Sequence, residues 1–130
     1  MKTRSGFEKR LWEELVEELG DKVEYENPDR RLKYVQPSKP RTYNPDFTFK
    51  GSSVILEAKG KLTREERSKL LWIKKYNPEA DIRLVFQRDN KLSKRAESIR
   101  YTDWARKHGI PCAVGKVPKE WIDEINNRAK

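Results

Sequence analysis

The sequence predicts an α/β fold, a mixed central β-sheet flanked by helices. Three observations predict it. Helical and strand-like hydrophobic periods follow one another as helix, strands, helix, strand, helix, strand, helix. Helix caps and turn residues stand at the joins. The 130 residues suit one domain, taken as 1–130. A domain of that size buries roughly two-thirds of its unfolded surface.

The first helix is expected over 5–19, where Leu11, Trp12, Leu15, Val16 and Leu19 recur at helical spacing. Ser5 and Glu8 match a capping box, and Gly20 is a stop. Residues 22–26 alternate as a strand, with Val23 and Tyr25 on one face and Glu24 on the other. Residues 30–41 contain Pro37 and Pro40 and read as an extended connector. Two strands, 46–49 and 54–59, flank the turn Lys50-Gly51-Ser52-Ser53. Thr63 and Glu66 open a helix that ends at Asn77-Pro78. A strand at 82–86, a helix at 101–107, a strand at 110–114 and a helix after Pro118 complete the order. Trp12, Trp72, Trp104 and Trp121 are assigned to packing rather than base stacking.

The chain carries 30 Lys and Arg against 21 Asp and Glu, a net charge of +9. That excess favours a polyanionic partner, nucleic acid first and an acidic membrane surface second. Cys112 is the only cysteine, which excludes an internal disulfide and a cysteine-based zinc site. No apolar run is long enough to span a bilayer and no signal-peptide pattern is present, so a soluble, cytoplasmic protein without membrane contact is expected.

The chemistry concentrates in Pro45-Asp46, ten residues, then Glu57-Ala58-Lys59. Glu57 and Lys59 are two apart in a strand and leave one face. A simple hairpin about the Gly51–Ser52 turn sets Asp46 opposite Glu57, with side chains roughly 5 Å apart. Facing carboxylates repel, so the pair calls for a cation. Lys59 supplies one, and Mg²⁺ or Mn²⁺, which take oxygen ligands, supplies the other. Asp46 and Glu57 would then hold a metal that binds a phosphodiester, with Lys59 beside the attacking water. An isolated match to this spacing is usually an ordinary surface hairpin. The basic balance and the hairpin register favour the catalytic reading.

These residues resemble the PD-(D/E)xK nuclease motif. More narrowly, 42–47, 54–60, 81–86 and 107–110, with Arg4-Ser5-Gly6-Phe7-Glu8 and Pro118-Lys119-Glu120-Trp121-Ile122, resemble the phage endonuclease I family of four-way-junction resolvases. The resemblance runs in order over nearly the whole chain. It implies a restriction-endonuclease-like core and a segment-exchanged homodimer, with residues 35–40 bridging the subunits. The first helix of one subunit would meet the hairpin of the other. It also implies that Glu8 binds a second metal ion, that Glu24 is a further active-site acid, and that the Ala58 carbonyl binds the first metal. Glu8 could instead serve only the helix cap, although it lies on the buried side with Trp12, Leu15 and Leu19, where a lone carboxylate is costly. The sequence departs from the family's pattern at its termini, with a shorter N-terminal extension and only residues 126–130 at the place of the family's very basic tail, so the resemblance does not carry DNA affinity from such tails over to it.

Positive residues expected to contact DNA phosphates are Arg41, Lys61, Arg64, Arg67, Lys91 and Lys94. The leading expectation is a dimeric nuclease that nicks branched DNA in pairs. The alternatives are another PD-(D/E)xK nuclease of restriction or repair type, and a basic DNA-binding protein without catalysis.

Overall fold

The computed structural model describes residues 5–36 and 39–128. Its elements are α1 (Gly6–Leu19), β1 (Val23–Tyr25), β2 (Leu32–Gln36), β3 (Lys39–Tyr43), β4 (Phe47–Phe49) and β5 (Val54–Lys59), then α2 (Arg64–Tyr76), β6 (Asp81–Phe86), α3 (Tyr101–Lys107), β7 (Cys112–Val114) and α4 (Lys119–Arg128). Five strands form one sheet in the order β1-β4-β5-β6-β7. The β1, β4 and β5 pairings are antiparallel, whereas β5–β6 and β6–β7 are parallel. The sheet is therefore mixed, as expected.

Strand alternation sends successive side chains into two cores. Val54 and Leu56 of β5, Phe47 and Phe49 of β4 and Val85 of β6 meet Leu11, Leu15 and Leu19 of α1 and Ile122 and Ile125 of α4. Ile55, Ile82, Leu84 and Phe86 meet Leu70 and Ile73 of α2 and Tyr101 and Trp104 of α3 on the other face. Helices thus cover both faces, which the central hydrophobic strands require. Trp12, Trp72, Trp104 and Trp121 all pack against these cores. Val16 differs from expectation and is exposed, because it lies about 100° around α1 from Leu15, outside the stripe of Leu11, Leu15 and Leu19.

The caps act as the sequence suggests. Ser5 Oγ accepts the Glu8 N–H at 3.1 Å, and Thr63 Oγ1 accepts the Glu66 N–H at 3.2 Å. Gly20 ends α1 with φ 61°, a left-handed value that a Cβ would strain. The region 30–41 differs from the extended connector. Its two halves pair in register as an antiparallel hairpin, from Leu32↔Tyr43 to Gln36↔Lys39. The apolar side chains of Tyr34 and Tyr43 hold the hairpin on α2, and Asn77 Nδ2 donates to the Lys33 carbonyl at 2.9 Å. Pro37 and Ser38, the middle of the expected bridge, lie outside the described residues.

Arg83 fastens α4 to the sheet. Only 5% exposed, it bonds Asp81 at 2.7 Å and Glu124, and it lies 5.4 Å from the Trp121 ring centre. Breaking a fully buried pair costs about 3–5 kcal/mol, but here both carboxylates keep some water. Arg83→Ala should therefore lower unfolding free energy by about 2 kcal/mol, read from urea melts. A loss under about 0.5 kcal/mol would show that α4 docks without it.

Candidate active site

A tight turn at the end of the β4–β5 hairpin sets the register on which the site depends. Ser52 N–H closes it by donating to the Phe49 carbonyl at 3.1 Å, and Gly51 sits at φ 76°. Positive φ at that place needs glycine. The strands then pair Phe47↔Leu56 and Thr48↔Ile55. One step further, side chains continue the ladder. Glu57 Oε2 accepts the Asp46 N–H at 2.7 Å, and Asp46 Oδ2 accepts the Ala58 N–H at 3.0 Å. Both acids are buried, at 6% and 4% exposure.

Other elements bring more acids to the same end. The Glu26 N–H donates to the Asp46 carbonyl at 2.8 Å, which ties the end of β1 to the hairpin. The first turn of α1 supplies Glu8, whose carboxylate accepts from the Tyr25 hydroxyl. Single carboxylate oxygens of Glu8, Glu26 and Asp46 all lie within 4.8 Å of one another. Lys59 leaves β5 on the Glu57 side, with Nζ 3.9 Å from Glu57 and 3.7 Å from Glu66. A cleft of about 340 Å³ opens here, lined by Tyr43, Asn44, Asp46, Glu57, Lys59 and Lys61 among others. A second cleft reaches Ala58 and Gly60 from the α1 side, past Ser5 and Glu8.

This packing shifts protons. Burial pushes the Asp46 carboxyl up to about 8; the charges of Glu57 and Glu8 add to the rise, while the Ala58 N–H and Lys59 oppose it. Burial, then the charges of Glu57 and Asp46, and last a hydrogen-bonding interaction with Glu57 hold the Tyr43 phenol well above its usual range. Concentrated carboxylate oxygen of this kind suits a hard divalent cation, with no nitrogen or sulfur donor in the group.

The sequence matches the Phage endonuclease I family over residues 1–130. The chain belongs to that family. Endonuclease I of Escherichia phage T7 is 36% identical over 121 residues, which is 93% of this chain and 78% of the relative. Endodeoxyribonuclease 1 of Enterobacteria phage T3 is 35% identical over 121 residues, 93% of this chain and 77% of the relative.

Within this chain, the residues singled out from sequence are not all together. Glu8, Asp46, Glu57, Ala58 and Lys59 converge at the hairpin end. Glu24 stands apart. It accepts from Asn27 Nδ2 at 2.7 Å, Arg30 at 3.0 Å and Thr48 Oγ1 at 3.2 Å, and Arg30 also grips the carbonyls of Phe49 and Ser52. This looks after the hairpin edge rather than the acid group. The acid that joins the group is Glu26. Strict alternation would send Glu24 and Glu26 to one face, but Glu26 adopts φ 45° just past β1, and the backbone turns there. Tyr43, Asn44 and Glu66 are further cleft residues that the motif does not name. Among the cations, Arg41, Lys61, Arg64, Lys91 and Lys94 are exposed, whereas Arg67 is half-buried and donates to the Leu62 carbonyl at 2.9 Å.

Proposed function

We propose that this chain is a divalent-metal-dependent DNA endonuclease that resolves four-way junctions by paired phosphodiester hydrolysis, acting as a homodimer. The observation that carries the reading is the Asp46–Glu57 pair, each acid anchored on the other strand's backbone, with Lys59 at its side. The names of the relatives support the DNA endonuclease, and the positive surface supports a polyanionic substrate.

Asp46, Glu57 and the Ala58 carbonyl would hold one Mg²⁺ or Mn²⁺, and Glu8 with Asp46 a second, with Glu26 beside them. Bound ions of this class supply Lewis-acid charge to the phosphate and lower the pKa of a coordinated water. The chain itself does the rest. Lys59 places an ammonium beside the reacting phosphate, where charge builds in the transition state. Glu57 and Glu66 hold that ammonium from two sides. Arg41, Lys61, Arg64, Lys91 and Lys94 bind phosphates of the DNA arms without reading bases.

The dimer enters through the β2–β3 hairpin. Glu8 and Asp46 lie on opposite sides of residues 35–40 in the sequence. Opening the hairpin in two chains would let α1 and β1 of one dock on the hairpin of the other, rebuilding the same site from two subunits. Two symmetric sites match the two cuts that a junction requires.

Incubation of the purified protein with a labelled immobile junction and with linear duplex of the same sequence tests the reading. Paired nicks near the branch point, dependent on Mg²⁺ and abolished by EDTA, are expected, with the duplex cut far more slowly. Sequence-dependent cutting of plain duplex would replace the junction specificity with a restriction-type activity. Salt-sensitive binding without any nicking would leave a DNA-binding protein.

A further inference from the structure

Three buried side-chain atoms that complete no hydrogen bond belong to residues lining the cleft beside Lys59: Tyr43 Oη, Asn44 Oδ1 and Glu66 Oε2. Unmet buried polar atoms are costly, and their gathering at one place marks a region whose bonding is completed by something else. Tyr43 is the most constrained of the three. It is 3% exposed and ends β3, three residues before Asp46. Its ring sits in the core with Tyr34, Leu70 and Ile73, and Lys69 Nζ lies 5.4 Å from the ring centre. Packing therefore fixes where the hydroxyl points. It lies near enough to Glu57 and Asp46 to feel both charges and has the Glu57 carboxylate within reach as an acceptor, but the bond falls short of good hydrogen-bond geometry.

Glu57 needs such a donor. Oε2 is taken by the Asp46 N–H at 2.7 Å, while Oε1 has Lys59 at 3.9 Å, beyond hydrogen-bond range, and no well-formed hydrogen bond. We propose that Tyr43 is a positioning residue for Glu57, its hydroxyl donating to that carboxylate and setting its orientation when the site takes up a divalent cation. This rests on the metal-dependent reading above. Groups behind metal-binding carboxylates act in this way, and their loss commonly costs 10–100-fold in metal affinity.

Tyr43→Phe removes the hydroxyl and leaves the ring. The DNA-free wild type, Tyr43→Phe and Asp46→Asn are titrated with Mn²⁺ by calorimetry, and the metal-free melting temperature of each is recorded. The expected result is Mn²⁺ binding about tenfold weaker in Tyr43→Phe, with its metal-free melting temperature equal to or above wild type. A hydroxyl whose bond to Glu57 is poorly formed adds little to the metal-free fold. Wild-type Mn²⁺ affinity in Tyr43→Phe overturns the proposal. So does a lower metal-free melting temperature, which would mean that the hydroxyl already serves as a structural bond. If wild type takes up no Mn²⁺, or Asp46→Asn binds it as well as wild type does, the metal site itself fails and the Tyr43 role falls with it.

Discussion

Asp46→Asn should slow DNA cleavage at least about a thousandfold while leaving DNA affinity close to wild type. Asp46 is the one acid that touches both halves of the site. Its Oδ2 accepts from Ala58 next to Glu57, and a carboxylate oxygen lies within 4.8 Å of those of Glu8 and Glu26. The amide keeps the shape and one acceptor, so the Ala58 N–H stays paired and the hairpin stays folded. What it loses is the charge that would hold a divalent cation between two groups of acids. Each tenfold in rate is about 1.4 kcal/mol of barrier, and loss of the metal's charge stabilisation removes several. In the proposed reading, binding rests on cations that the substitution does not touch. Single-turnover cleavage of a labelled junction, beside gel-shift affinity without metal, reads both quantities. Cleavage within tenfold of wild type would remove Asp46 from the reaction.

The parts of this site that the sequence disclosed are those set by short-range rules. A turn that needs glycine at Gly51 and two strands of period two put Asp46 against Glu57 without knowledge of the rest of the fold. Lys59 followed from the same period. The layers were legible for a similar reason, since Leu11, Leu15 and Leu19 mark one helix face and Ile55 and Leu56 mark two sheet faces. Hidden features depend on distant parts of the chain or on a single backbone angle. Glu26 joins the acids because its φ is positive, which no alternation pattern can announce. Prolines drew attention to the stiffness of 30–41 and away from the Leu32, Tyr34 and Tyr43 pattern that pairs its two halves. Tyr43 and Glu66 reach the cleft from β3 and α2, by tertiary packing alone.

The metal-free protein should lose stability as pH rises from about 4 to about 8, and a divalent cation should flatten that fall. In the fold the Asp46 carboxyl is held at about 8, chiefly by burial and then by Glu57, against an ordinary 3.8. A folded-state value raised above the unfolded one favours the fold fully when both states hold the proton, below about pH 4. Between the two values the folded chain still keeps a proton that the unfolded chain has released, so stability declines, by at most about 1.4 kcal/mol per pH unit. Above about 8 the contribution is gone. A total of a few kcal/mol is the expected scale. Asn resembles the protonated acid, so in EDTA Asp46→Asn should match wild type near pH 4 and melt several degrees higher near pH 9. A bound cation takes the place of the proton and stabilises the folded state by mass action, so saturating Mg²⁺ should raise the wild-type melting temperature most at alkaline pH and the Asn variant's little. Parallel pH curves for the two proteins in EDTA would contradict the buried-acid account. The burial and repulsion that oppose ionisation of Asp46 in the metal-free protein are then the same free energy that draws a cation in: an acid pair relaxed enough to be stable alone would have correspondingly less affinity for metal.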